Sequence, residues 1–273
     1  MIIDSHQHFW RLDRGDYGWL TPAAGPIYRD YLPEHLAPKL ARTGVTATVL
    51  VQAAPSIEET RYLLRLAHDH AFIAGVVGWV DFESQSVADD IAELASNSKL
   101  VGLRPMIQDI PAVEWMLTPE LTPAYAAMIE HDLVFDALVK PEHLPVLMRL
   151  RDRHPLLSMV LDHGAKPGIR SGDLAGWRRD IAELAESTDI VCKFSGLVTE
   201  AGSCELRTLS PCVDHLLATF GPGRLMWGSD WPVCELVCSY EQWHSTARQL
   251  LANLDANDQA MILSHTARTT YDI

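Results

Sequence analysis

The sequence predicts an α/β fold, a single (β/α)8 barrel over residues 1–273, and three observations carry that prediction. Short apolar runs recur eight times along the chain, mostly continuous rather than alternating. Continuous runs of strand length mark strands buried on both faces, which is the habit of parallel sheets. Helical patterns fall between the runs, and eight such alternations in 273 residues match a barrel. No linker or shift in composition divides the chain. An open doubly wound sheet is the alternative, but no glycine-rich phosphate loop follows any run. Gly75, Gly78 and Gly102 are isolated, and we read them as close packing within strands.

Ile2-Ile3 opens the first strand. Residues 9–44 then delay the second, carrying Trp10, Tyr17, Trp19, Tyr28 and Tyr31 among prolines. A βα connection of that length is usually functional, and we read it as a wall or lid over the barrel. Val45–Val51 is the second strand. Ser56-Ile57-Glu58-Glu59 forms a capping box before a helix with Leu63, Leu66 and Ala67 on one face. Ile73–Trp79 follows, then a helix capped by Ser86 with Val87, Ile91, Leu94 and Ala95 at helical spacing. Leu100–Leu103 is the fourth strand, and Thr122-Pro123 opens the next helix with proline in its first turn. Leu133–Leu138 and Leu157–Leu161 bracket a helix marked by Leu144, Leu147, Met148 and Arg151. Trp177, Ile181, Leu184 and Ala185 mark the helix before Ile190–Phe194. Val213, Leu216, Leu217 and Phe220 mark another, stopped by Gly221-Pro222-Gly223. Leu225–Trp227 is the eighth strand, followed by helices around Trp243–Leu254 and Asp258–Thr266.

Composition narrows the function classes. With 48% hydrophobic and 21% charged residues, and with 16 glycines and 16 prolines, the chain is neither disordered nor fibrous. Its formal charge of −14 repels phosphate backbones, so nucleic acid is not an expected partner. No apolar stretch approaches the roughly 20 residues of a membrane span, and the start lacks a signal-peptide pattern. The expectation is a cytoplasmic protein without a membrane partner; a homo-oligomer is left open. The cysteines Cys192, Cys204, Cys212, Cys234 and Cys238 are odd in number and read as free thiols. Cys234 and Cys238 lack a second pair at finger-like spacing.

Barrel enzymes carry their chemistry at the C-terminal ends of the strands. His6-Gln7-His8 follows the first strand, and residues two apart on a strand share a face. Both imidazoles can therefore meet at one point, to hold a divalent metal or to donate to an oxyanion. Asp230 follows the last strand, where it can bind a metal, take a proton from water, or simply cap a helix. His163 ends the sixth strand and can complete a ligand set or polarise a carbonyl. Arg104 and Lys193 are cations on or beside apolar strands, where burial demands an anionic partner. A hydroxyl-rich or carboxylate substrate supplies one, and so does an internal aspartate. Ser195 lies near, but no nucleophile elbow surrounds it.

At these residues the chain resembles the amidohydrolase superfamily, whose barrels carry HxH on strand 1, His on strand 6 and Asp on strand 8. More narrowly it resembles the amidohydrolase-2 branch of sugar-acid lactonases. The segments that carry the likeness are Ile3–Trp10, Arg104–Gln108, Leu161–Pro167, Val191–Leu197 and Met226–Pro232. The resemblance implies a hydrolase acting on an aldonolactone, such as L-fucono- or L-rhamnonolactone. Asp230 would be general base, His163 catalytic, and His6, His8 and Asp230 the metal ligands. Trp10, Gln52, Trp79, Arg104, Gln108, Lys193 and Trp231 would hold the substrate. Superfamily members with two metals carry Lys or Glu after strand 4 and His after strand 5. Here Arg104 stands at the first place and Leu133–Leu138 has no His. The expected cofactor is at most one divalent ion, zinc or manganese, and the lactonase branch looks able to work without it. The rival readings are a metal-dependent decarboxylase of aromatic acids and an inactive binding barrel.

Overall fold

The computed structural model of the chain describes residues 1–273. Eight parallel strands lie in sequence order, each hydrogen-bonded to the next. They are β1 (Ile3–Gln7), β2 (Ala47–Val51), β3 (Ile73–Gly78), β4 (Leu100–Leu103), β5 (Val134–Ala137), β6 (Met159–Leu161), β7 (Val191–Phe194) and β8 (Leu225–Trp227). The barrel closes from β8 onto β1 through main-chain bonds just past the last strand. Asp230 N–H donates to His6 O at 2.8 Å, and His8 N–H donates to Trp231 O at 2.7 Å. Gly228 makes this approach feasible, since a Cβ there would sit 2.8 Å from the His6 Cβ.

The helices are α1 (Pro33–Thr43), α2 (Ile57–Asp69), α3 (Val87–Ala95), α4 (Thr122–Glu130), α5 (Leu144–Arg153), α6 (Ala175–Ser187), α7 (Leu197–Ala201), α8 (Leu206–Phe220), α9 (Tyr240–Leu250), α10 (Ala256–Ala260) and α11 (Thr266–Tyr271). Three of these depart from the expected set, one being α11, which continues α10 through the π-helical turn Met261–His265 to Tyr271, past the expected end at Thr266. α1 lies inside the long connection after β1, started by Pro33 and ended by left-handed Gly44. α7 is a short turn after β7. The capping box at α2 is half formed. Ser56 Oγ accepts from Glu59 N–H at 3.1 Å, but the Glu59 carboxylate turns away to Tyr17 and Ala53. Ser86 makes no cap bond to the α3 backbone, and its hydroxyl donates to Asp90 instead.

Inside the barrel one apolar layer is drawn from nearly every strand: Ile3, Val49, Val77, Val101, Val134, Val160 and Met226. Tyr271 of α11 packs against this layer. Side chains two residues on share a face. From Val134, Val160 and Val191 that step reaches Asp136, Asp162 and Lys193, so the next layer up is charged. β1 breaks this rule. An extra residue between Asp4 and Gln7 shifts its register against β2, a bulge that reverses the alternation. Ile3 therefore points into the core and His6 and His8 also reach the axis. Ser5 and Gln7 turn to their neighbours, bonding Trp227 O and Thr48 Oγ1.

All five cysteines are free. The two groups of side chains able to hold a metal contain none of them. No helix is long and apolar enough to cross a membrane.

Candidate active site

At the C-terminal mouth of the barrel four side chains converge. His6 Nε2 lies 3.2 Å from His8 Nε2. Asp230 Oδ1 lies 3.3 Å from His8 Nε2, 3.8 Å from His6 Nε2 and 4.0 Å from His163 Nε2. The backbone is bent to achieve this. Asp230 has φ +55°, and His163, Gly164, Ala165 and Lys166 form a run of left-handed residues at +52° to +60°. A non-glycine residue there costs of order 1–3 kcal/mol, and such costs gather at functional sites. In that tight turn His163 and Lys166, three apart, both face the cavity. Gly196 leaves room for the His163 ring, because a Cβ there would lie 2.6 Å from Nδ1.

The partners behind each group fix its state. His8 Nδ1 is 2.8 Å from Val51 O, which can only accept, so a neutral His8 carries its proton on Nδ1 and presents the Nε2 lone pair to the site. His163 Nδ1 meets Ser195 Oγ at 2.8 Å. Burial lowers the His163 pKa to about 4, against the pull of Asp230 and Asp162. Burial, with Lys193 beside it, also holds His6 well below the usual imidazole range. For Asp230, burial alone would raise the pKa, but the three imidazoles hold it well below the usual carboxylate range. At neutral pH the Asp230 carboxylate faces the neutral imidazoles of His6 and His163.

Beneath it runs the charged layer. Lys193 Nζ donates to Asp136 Oδ2, lies 3.1 Å from Asp162 Oδ1 and 3.2 Å from His6 Nδ1, and is fully buried. Tyr271 donates to Asp136 at 2.9 Å from below. Burial lifts the Asp136 pKa to about 6 despite Lys193. For Asp162, burial would do the same, but Lys193 and His6 hold it well below the carboxylate range.

A cavity of about 270 Å³ opens above this cluster. Its polar lining residues are His8, Arg104, Gln108, Asp109, His163, Lys166 and Asp230. Its apolar lining residues are Trp19, Ala53, Met106, Leu138 and Val233. Of the expected substrate-binding residues, Arg104 and Gln108 line this cavity. Arg104 does so while its Nη1 lies 3.3 Å from Asp162 Oδ2 and its Nη2 donates to Gln52 O. The others sit elsewhere. Lys193 lies below the floor, neutralised by internal aspartates, the second of the two partners its burial allowed. Gln52 is buried and donates to Arg104 O at 2.8 Å. Trp10 and Trp231 are fully buried, their indoles donating to Arg29 O and Glu235. Trp79 is half-buried outside the cavity lining, its N–H held by Thr60 Oγ1.

Trp19, Met106, Asp109 and Lys166 line the cavity without having been singled out for substrate. A signal existed for two of them. Trp19 lies in the long connection read as a wall, and Lys166 sits three residues after His163.

The donor set fits a single ion. Zinc–nitrogen bonds of about 2.0–2.1 Å in tetrahedral geometry put ligand atoms roughly 3.4 Å apart. His6, His8 and Asp230 present theirs at 3.2, 3.3 and 3.8 Å. Arg104 Nη1, 3.4 Å from His6 Nε2, is a cation that opposes tight binding there.

Residues 3–273 match the model of the family described as Amidohydrolase. The chain is 48% identical over 235 residues to an L-fucono-1,5-lactonase of Burkholderia ambifaria, covering 86% of this chain and 81% of the relative. It is 39% identical over 282 residues to an L-fucono-1,5-lactonase of Burkholderia multivorans, covering 98% and 95%. A crystal structure of an amidohydrolase from Burkholderia multivorans with bound zinc superposes with a TM-score of 0.94 at 38% identity, over 100% of this chain and 99% of that one.

Proposed function

The chain belongs to the amidohydrolase family and is a lactone-hydrolysing enzyme, and from that premise we propose that it opens L-fucono-1,5-lactone to the aldonate with water activated by Asp230. The observation that carries the mechanism is the convergence of Asp230 and three imidazole nitrogens within 3.2–4.0 Å at the end of the cavity. The mixed polar and apolar lining supports the substrate. A 6-deoxy sugar lactone has hydroxyls for Arg104, Gln108, Asp109 and Lys166, and one methyl for apolar residues such as Trp19 and Met106.

Asp230 takes a proton from water as its oxygen attacks the lactone carbonyl carbon. His163 stabilises the oxyanion. When the Ser195 hydroxyl donates to Nδ1, the His163 proton stands on Nε2, the nitrogen facing the cavity. Arg104 adds a fixed positive charge from the same rim. The tetrahedral intermediate then breaks its ring C–O bond, and Asp230 returns the proton to the departing ring oxygen. His6 and His8, with Asp230, would hold one zinc or manganese ion. Such an ion supplies Lewis-acid polarisation of a carbonyl. A lactone carbonyl is reactive enough for the protein donors to serve in its stead.

A panel of aldonolactones followed with a pH indicator tests the reading. Fast acid release from L-fucono-1,5-lactone is expected, with L-rhamnonolactone as the first comparison. Release from none of the panel, with decarboxylation of an aromatic acid instead, would overturn it.

A further inference from the structure

We propose that Trp19 is a specificity-determining wall for the 6-deoxy end of the substrate, and that Glu59 is the positioning residue that latches it in place. The substrate part of this rests on the function proposed above; the latch does not.

Regular structure does little to hold Trp19. Between β1 and α1 the chain has two short 3-10 turns, Leu12–Arg14 and Pro22–Ile27, and a single antiparallel bridge between Trp10 and Tyr31. Side-chain ties must therefore set its position; Trp10 packs edge-to-face on its ring, and the polar ties around it lead to Glu59. The Glu59 side chain at the start of α2 is fully buried. Its Oε2 accepts from the Tyr17 hydroxyl at 2.8 Å and pairs with Arg14 Nη2 at 3.2 Å. Its Oε1 accepts from Ala53 N–H at 3.3 Å. The Ala53 carbonyl in turn accepts from Trp19 Nε1 at 2.7 Å. One carboxylate thus grips Tyr17 and Arg14, just ahead of Trp19, and also the residue whose carbonyl holds its indole.

That carboxylate is retained against a cost. Burial lifts its pKa to about 7, even with Tyr17, Arg14 and Ala53 lowering it. A helix needs nothing so expensive at this place, since Ser56 already caps it. Trp19 is 42% exposed and lines the same cavity as Arg104 and Lys166. An indole is a broad apolar surface with one polar edge. Here the edge is spent on Ala53, the ring meets Trp10 edge-to-face with centroids 5.3 Å apart, and its exposed part can meet a methyl group.

The test uses Glu59→Gln, Tyr17→Phe and Trp19→Ala against L-fucono-1,5-lactone and L-galactono-1,5-lactone, its counterpart hydroxylated at carbon 6. Trp19→Ala is expected to raise KM for the deoxy lactone about tenfold, with kcat changing less, and to shrink the preference for the deoxy substrate. Glu59→Gln and Tyr17→Phe should shift KM and preference the same way by roughly threefold. Amide hydrogen exchange across residues 11–30 should quicken in Glu59→Gln, without substrate present. A loss of melting temperature with unchanged KM and exchange would make Glu59 merely structural and overturn the latch. Unchanged KM and preference in Trp19→Ala would overturn the wall. If the wild type opens neither lactone, the proposed substrate and the wall fail together, and exchange still decides the latch.

Discussion

Two layers of side chains share the barrel axis two residues apart, on the same strands, with opposite chemistry. The lower, from Val134, Val160 and their neighbours, is aliphatic and dry. The upper, from Asp136, Asp162 and Lys193, is ionic and equally buried. The aliphatic layer gains from burial, roughly 25 cal/mol per Å². The ionic layer gains little net stability, because desolvation offsets the attraction between its charges. What the upper layer does instead is orient. Lys193 Nζ lies 3.2 Å from His6 Nδ1 and Asp162 Oδ1 lies 3.4 Å from the same atom, so the imidazole above is held from below. The difference teaches that the barrel puts its stability at one level and its precision at the next.

The largest effect should come from breaking the ionic layer at its centre. Lys193→Met leaves Asp136 and Asp162 facing each other without their shared cation. A broken buried pair costs about 3–5 kcal/mol, and urea unfolding should register a loss of that order. A loss under about 1 kcal/mol would mean that water or a proton compensates and that the two layers are not so different. Adding Asp136→Asn to the variant should recover part of the loss, because it removes one of the stranded charges.

Next in size is a change that should spare stability altogether. Asp230→Asn keeps the shape of the side chain and removes its basicity. We expect a fall in kcat of at least ~10²-fold, about 2.7 kcal/mol of barrier, with an unchanged melting temperature. Near-wild-type turnover would remove Asp230 from proton transfer.

Arg104 lies between these cases, since it touches both the cavity and Asp162. Lys193 also neutralises Asp162, so Arg104→Met should cost stability only modestly, about 1–2 kcal/mol. Turnover should fall more than stability does. A collapse in melting temperature with activity retained in the folded fraction would move Arg104 wholly into the structural layer.

The legibility of these features in the sequence follows the same division. The strands were readable because burial on both faces makes them largely apolar runs, except β1, which is buried but polar after Ile3 and showed only at its start. The converging His6, His8, His163 and Asp230 were readable because strand ends are where the fold exposes polar groups. Direction was harder. The β1 bulge reverses which side chains face the axis, and no residue between Asp4 and Gln7 announces it. Lys193 looked the same whether its anion was substrate or Asp136. Trp10 and Trp231 carry the residue type of a sugar platform, but backbone and Glu235 acceptors drew their indoles inward. Glu59 matched a capping box, and only the fold could bring Tyr17 and Arg14 to compete for it.

The smallest expected effect concerns metal, and it separates holding an ion from needing one. The three donors at 3.2–3.8 Å are spaced for a tetrahedral ion, and His8 is fixed with its lone pair inward. These features favour binding. Arg104 at 3.4 Å from His6 Nε2 and Lys193 at 3.2 Å from His6 Nδ1 are cations on either side of one ligand, and they weaken it. The ionic layer that orients His6 therefore also taxes its affinity for a second positive charge. A lactone carbonyl needs little activation, and His163 and Arg104 already offer donors on the cavity side. We expect substoichiometric metal after purification, and activity that survives prolonged chelation to within about tenfold, or ~1.4 kcal/mol of barrier. Activity and metal content measured on the same samples decide the point. Complete loss on chelation, restored by one equivalent of zinc or manganese, would show that the site depends on its ion. Lys193→Met would then be expected to bind that ion more tightly than the wild type, which ties the metal back to the charged layer beneath it.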